Sequence, residues 1–347
     1  MSDDEITIGT KRQGALQLGP RKKPCGTDPL VHHGRHFGRT VHAMCSIKGL
    51  ITNGLLHMAD LEDNPEATFT QDERREYSVF QQLLHTVPGL ETRIMDGSDE
   101  ECNHVGELIQ RGVSSARSDD TKSLKAAVLD WITPRGQPLD PPLARNVKSD
   151  RGFHHERTGA LLCPADMDWS NIEVKEKLRS GEMAISGDHW PVFLYSGYRY
   201  DPEDPWNGLF RGVILVSAYK HVFTSPSSVE QEPKATRSGN ARIHGMTKVT
   251  PASIAYIATQ VRFALSSSPV FSRTDTTTDS ERFYNSVLDL LEDVDEQVEV
   301  NDLISWWNRQ IFPTHVSALR TIAKNSPLGR IKEKHAVLKA IASNTRN

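Results

Sequence analysis

The sequence predicts a mainly α protein: an irregular multi-helix globular body with long polar loops and at most a short β-hairpin near residues 190–200. Three observations carry that expectation. Helix-opening signatures recur down the chain, either a hydroxyl residue with glutamate three positions later or a cap residue followed at once by proline. Most are followed by apolar side chains three and four apart, which line one helix face. Alternation of apolar and polar residues, the mark of a half-buried strand, is confined to one brief stretch.

The first 36 residues mix glycine, proline and the cations Lys11, Arg12, Arg21, Lys22 and Lys23, with few core-forming side chains. Such a segment buries too little to offset its ordering entropy, so it reads as a flexible basic arm. From Phe37 the pattern changes. Phe37, Val41, Met44, Ile47, Ile51, Leu55 and Met58 fall on one helix face, which Gly49 and Gly54 weaken without breaking. Thr70 with Glu73 opens the next helix, through Tyr77, Phe80, Leu83 and Leu84. Ser98 with Glu101 opens another, through Val105, Leu108, Ile109 and Val113. A new start is expected at Ser118 or Asp119, carrying Leu124, Val128, Trp131 and Ile132 until Pro134 stops it.

After a loop-rich stretch, Ser170 with Glu173 predicts a short helix ending near Gly181. The apolar run Val192–Tyr200 is the candidate hairpin, turning at Ser196–Gly197. Asp204–Pro205 opens a helix reaching about Val222, and Thr250–Pro251 opens one striped by Ile254, Ile257, Val261 and Leu265. Thr278 with Glu281 starts a further helix through Phe283, Val287, Leu290 and Leu291. Others are expected at 296–311, 315–324 and 328–342, separated by Pro313 and Pro327. Residues 37–312 are thus expected as one helical domain, and 313–347 as a basic helical C-terminal tail.

Composition narrows the function classes. The chain has 347 residues, 37% hydrophobic and 25% charged, with 41 Lys+Arg against 45 Asp+Glu for a net charge of −4. This apolar content belongs to a globular protein, not a disordered or collagen-like one. Cys25, Cys45, Cys102 and Cys163 are far apart and form no C-x-x-C pair, so no disulfide framework or zinc ribbon is suggested. The start MSDDEITIGTKRQ has no apolar core of a signal peptide, and no run approaches membrane-spanning length. An intracellular protein that does not engage a membrane is expected, in nucleus or cytoplasm.

No P-loop, G-x-G-x-x-G or G-x-S-x-G motif is present. The strongest functional candidate is the connection Thr224–Val249, longer than compact domains usually tolerate without a role. Its Lys234, Arg237, Arg242, His244 and Lys248 have no acid among them and suit the phosphates of a nucleic acid. The cluster Arg117–Lys122 reads instead as an internal cap, because Asp119 and Asp120 already supply negative charge there. Ser266–Ser268 through Asp275 reads as turn chemistry. An enzyme reading rests on His154, His155 and Glu156, near Cys163, Asp166 and Asp168, as metal ligands, although adjacent side chains rarely converge. His42 and Cys45 read as structural. Trp190, Phe193, Tyr195, Tyr198, Tyr200 and Trp206 suit either base stacking or core packing. Residues 281–302 are acidic, and the basic tail is suited to nucleic acid, an acidic partner or this acidic segment.

The runs ARSDDTKSLK (116–125), RGFHHERTGALLCP (151–164), DPEDPWNGLFRG (201–212), AYKHVFTSPSSV (218–229), KATRSGNARIHGMTKVTPASIAYIATQVRFALSS (234–267) and TDSERFYNSVLDLLED (278–293) resemble a domain of unknown function from mushroom-forming (basidiomycete) fungi. The resemblance covers about Gly34 to Pro313. It implies a lineage-restricted intracellular fungal protein and brings no catalytic residue. The sequence-level expectation is a non-enzymatic protein without cofactor, binding nucleic acid or an acidic protein through the basic loop. The alternatives are the metal-dependent enzyme and a protein-interaction scaffold.

Overall fold

The computed structural model describes residues 28–64, 68–134, 136–229, 239–271, 279–313, 326–327 and 329–335. Among them there is no strand. A single isolated bridge joins Pro164 to Pro191.

Helix α1 (Pro29–Thr40) starts where Asp28 accepts the Leu30 amide and proline sits in the first turn. Residues 29–36 of the expected arm are therefore helical. Helix α2 (Ile47–Asp63) is separate from α1, although the stripe from Phe37 to Met58 predicted one helix. The intervening backbone is diverted by polar groups that the stripe does not reveal. His42 Nδ1 accepts the Cys45 amide at 3.0 Å, the Ala43 amide donates to the Tyr284 hydroxyl at 3.1 Å, and Ser46 caps α2.

Helix α3 (Gln71–Thr86) carries the full Thr70–Glu73 capping box, and α4 (Leu90–Met95) is one short turn further on. Helix α5 (Asp99–Ile132) starts at Ser98 as expected and ends before Pro134, but it runs unbroken through Ser118. Its 34 residues make a rod about 50 Å long. Val105, Leu108, Ile109 and Val113 bury with α1–α4, while Leu124, Val128, Leu129 and Ile132 bury in a second, larger cluster.

Helix α6 (Glu156–Leu162) and α7 (Ile172–Ser180) follow; α7 ends at Gly181 in left-handed backbone, φ 76°, as expected. Its cap is Asn171, because Ser170 is held by Asp168. The candidate hairpin is absent. Val192–Leu194 and Ser196–Tyr198 are 3-10 turns, and Phe193, Leu194 and Tyr195 are buried consecutively, which a strand with alternating faces cannot do. Helix α8 (Val213–Tyr219) begins well after Pro205, because Gly208 and Phe210 hold positive φ of 74° and 54° and Trp206 Nε1 donates to Glu296 at 2.7 Å. A wider π-turn, Lys220–Thr224, follows it.

Helix α9 (Asn240–Ile243) is a single turn within the long connection. Helix α10 (Pro251–Leu265) is the hub of the larger cluster: every residue after Pro251 is buried. Its C-terminal carbonyls are met by cations from the loop before α6. Lys148 Nζ donates to the Phe263 carbonyl, and Arg151 Nη1 donates to the Ala264 carbonyl at 2.9 Å. Helices α11 (Ser280–Glu292) and α12 (Gln297–Ile311) close the cluster. The expected Thr278 cap lies outside the described residues. Residues 329–335 are helical, within the expected 328–342 segment.

Candidate anion-binding site

Ser114, Arg117, Ser118, Thr121, Lys122 and Lys125 are spaced three and four apart on α5 and therefore share one face. The unbroken helix is what creates this face, since a start at Ser118 would have split it. The same geometry turns Asp119 and Asp120 toward α1. Asp119 pairs with Arg35 at 2.7 Å on the surface. Asp120, 6% exposed, accepts from Arg39 Nε and Nη2 at 2.7 and 2.8 Å and from the Tyr256 hydroxyl at 2.6 Å. Contrary to expectation, neither aspartate caps a helix; the helix separates acids from bases around its circumference.

The basic face floors a cavity of about 400 Å³. The facing wall is Lys148, Phe263, Pro269, Val270 and Phe271, and no carboxylate among the described residues lines it. Three of the cations contact uncharged groups. Lys148 Nζ lies 3.2 Å from the Phe263 ring centroid, Arg117 sits 5.2 Å over the Phe271 ring, and Lys125 Nζ donates to the Asn146 carbonyl at 3.3 Å. Burial, with Arg151 and Lys125 nearby, lowers Lys148 to about 7. An anion entering the cavity relieves that repulsion and favours the charged ammonium. Thr121 donates its hydroxyl to Gln260 at 2.8 Å, which leaves its oxygen free to accept.

A family of unknown function (DUF6698) matches residues 111–312, more than half of the chain. The chain belongs to that family. No curated protein and no solved structure matches it. The DUF6698 match opens one turn before Ser114, so it contains the whole basic face, although it begins well beyond Gly34, where the resemblance was expected to start.

Of the loop residues expected to bind phosphate, Lys234 and Arg237 lie outside the described residues. Arg242 and Lys248 are exposed, and among the described residues no carboxylate pairs with Arg242. His244 is not presented to solvent in the same way: its ring stacks on His36 of α1, with centroids 4.4 Å apart and planes 8° from parallel. Both are lowered to about 4, chiefly by burial; each also feels Arg39 and His33, and His36 feels His244 itself, while His32 and Arg35 add to the field at His244. Between pH 6.5 and 4 the separated rings take up protons that the stacked pair refuses, so acidification weakens this contact. Replacing both rings by phenylalanine keeps the stack and removes the titration. The melting temperature of His36→Phe/His244→Phe relative to the native protein is therefore expected to rise progressively as pH falls from about 6.5 to 4.

The proposed metal ligands of the DUF6698 region face separate partners. His155, 1% exposed, uses Nε2 on the Pro141 carbonyl at 2.8 Å and Nδ1 on the Arg157 amide at 3.0 Å. Glu156 accepts from Trp169 and Lys175. His154 lines another cavity beside Arg179. Among the described residues no three His, Cys, Asp or Glu side chains come together as a metal site. The aromatic residues around 190–206 belong to the larger hydrophobic cluster, and the acidic segment is met by Arg75 and Arg211.

The sequence reading missed Lys125, Lys148 and Phe271. A signal was available: between positions 114 and 125 the cations and hydroxyls repeat at helical spacing, while both aspartates fall on other positions.

Proposed function

We propose that this protein is a non-catalytic nucleic-acid-binding protein whose principal contact is the basic face of α5, with Arg242 and Lys248 of the long connection as outlying phosphate contacts. The single observation that carries the reading is a concave site lined by four cations, three hydroxyls and no described carboxylate, in a chain whose net charge is −4. Segregating like charges in a recess works against the stability of the free protein, and phosphate oxygens offset that repulsion. An intracellular, fungal setting belongs to the same proposal; the free thiols Cys102 and Cys163 support a reducing compartment. No described helix is long and apolar enough to cross a membrane.

Charge reversal tests the reading. Lys122→Glu with Lys125→Glu is expected to weaken oligonucleotide binding at least about tenfold while leaving the circular dichroism spectrum unchanged. Arg242→Glu with Lys248→Glu should weaken it less. Unaltered affinity in the first variant would remove α5 as the contact surface.

A further inference from the structure

Resting on that reading, we infer that the cavity takes one unpaired nucleotide, with its phosphate on Lys122 and Lys125 and its base against Pro269, Val270 and Phe271, so that the protein recognises single strands in preference to duplex.

Two features of the site lead there. The first is shape. A helix that reads duplex DNA protrudes into a major groove about 12 Å wide. The basic face of α5 does the opposite: it forms the floor of a recess whose far wall is the segment ending α10, and the helix is packed against α1 and α10 on other sides. A rigid duplex can touch the exposed Lys122 but cannot lower a nucleotide into the recess. A cavity of about 400 Å³ lies in the range that encloses small ligands, and a flexible strand can lower one unit into it.

The second feature is the chemistry of the wall. Val270 is 69% exposed, Pro269 is exposed and Phe271 is half-buried, so an apolar corner stands in water directly beside the cations. Phosphate alone has no use for that corner. The flat face of a base does, and base-to-aromatic stacking is tolerant of sequence. Phe271 is braced for the role, since Phe263 meets it edge-on at 5.2 Å and Arg117 lies over its ring. Cations on one side and an aromatic corner on the other reproduce the two halves of a nucleotide.

The test compares a labelled single-stranded oligothymidylate with a duplex of equal length, by fluorescence anisotropy on the full chain. The single strand is expected to bind about tenfold tighter. Phe271→Ala and Val270→Ser should each reduce that preference, and Lys122→Glu should weaken both ligands. Val270 is solvent-exposed, so its variant keeps the test informative if Phe271→Ala fails to fold. Equal affinity for the two ligands, or equal losses for both in the Val270 variant, overturns the single-strand inference while the nucleic-acid reading stands. Binding of neither ligand overturns both.

Discussion

Asp120→Asn is expected to destabilise the protein by about 3–5 kcal/mol, measured by urea denaturation, whereas Asp119→Asn should cost about 1 kcal/mol or less. The two aspartates are adjacent in sequence and both face arginines of α1, so the contrast isolates burial. Asp119 is 64% exposed and its partner Arg35 is 24% exposed; water screens that pair and takes over when it is lost. Arg39 is 2% exposed, and its two charge-assisted bonds to Asp120 are its only anionic compensation among the described residues. Its Nη1 already lacks a hydrogen-bond partner. Removing the charge strands a guanidinium where water cannot replace the carboxylate. It also weakens the Tyr256 bond, so the loss is felt on α1, α5 and α10 at once. If both variants lost the same stability, the network would not be the junction described.

Gly112→Ala is expected to cost about 1–3 kcal/mol or more, although helix propensity alone would make it stabilising by about 1 kcal/mol. The reversal of sign comes from the close approach of α1 and α5. A Cβ on Gly112 would drive into the Val31 carbonyl oxygen and stand 2.9 Å from the Cα of Gly34. Both obstacles are backbone, which cannot rotate aside. Gly106, on the same helix, is the control: its nearest neighbour would be 3.7 Å away, an ordinary contact. Gly106→Ala should therefore be neutral or stabilise by roughly 0.5–1 kcal/mol. Thermal unfolding of the two variants reads the difference directly. The same separation of α1 and α5 matters to function, because α1 holds the aspartates away from the basic face.

Helix existence was legible wherever local chemistry decides it. Thr70 with Glu73, Ser98 and Thr250–Pro251 act through bonds within one turn, and all three helices begin there. The errors arise where distant groups override the local signal. The Phe37–Met58 stripe is cut by Tyr284 and His42, and Pro205 fails to start a helix in a segment whose Trp206 is held by Glu296. Ser118 is a good cap residue, but inside a helix already under way its amides have partners and no start is needed. That one misreading concealed the site, because only a continuous α5 puts Ser114, Arg117, Thr121 and Lys125 on a common face. Lys148 and Phe271 were beyond sequence reasoning for a different reason: they reach the cavity from separate loops, brought there by the packing of α10.

Nucleic-acid binding by this protein requires that α5 meet phosphates. The most direct measurement is the salt dependence of single-strand binding for the native protein and for Lys122→Ala with Lys125→Ala. Each phosphate contact contributes about 0.7 to the slope of log affinity against log salt on single strands, so the variant's slope is expected to be shallower by about 1.4. Identical slopes for the two proteins would contradict the assignment.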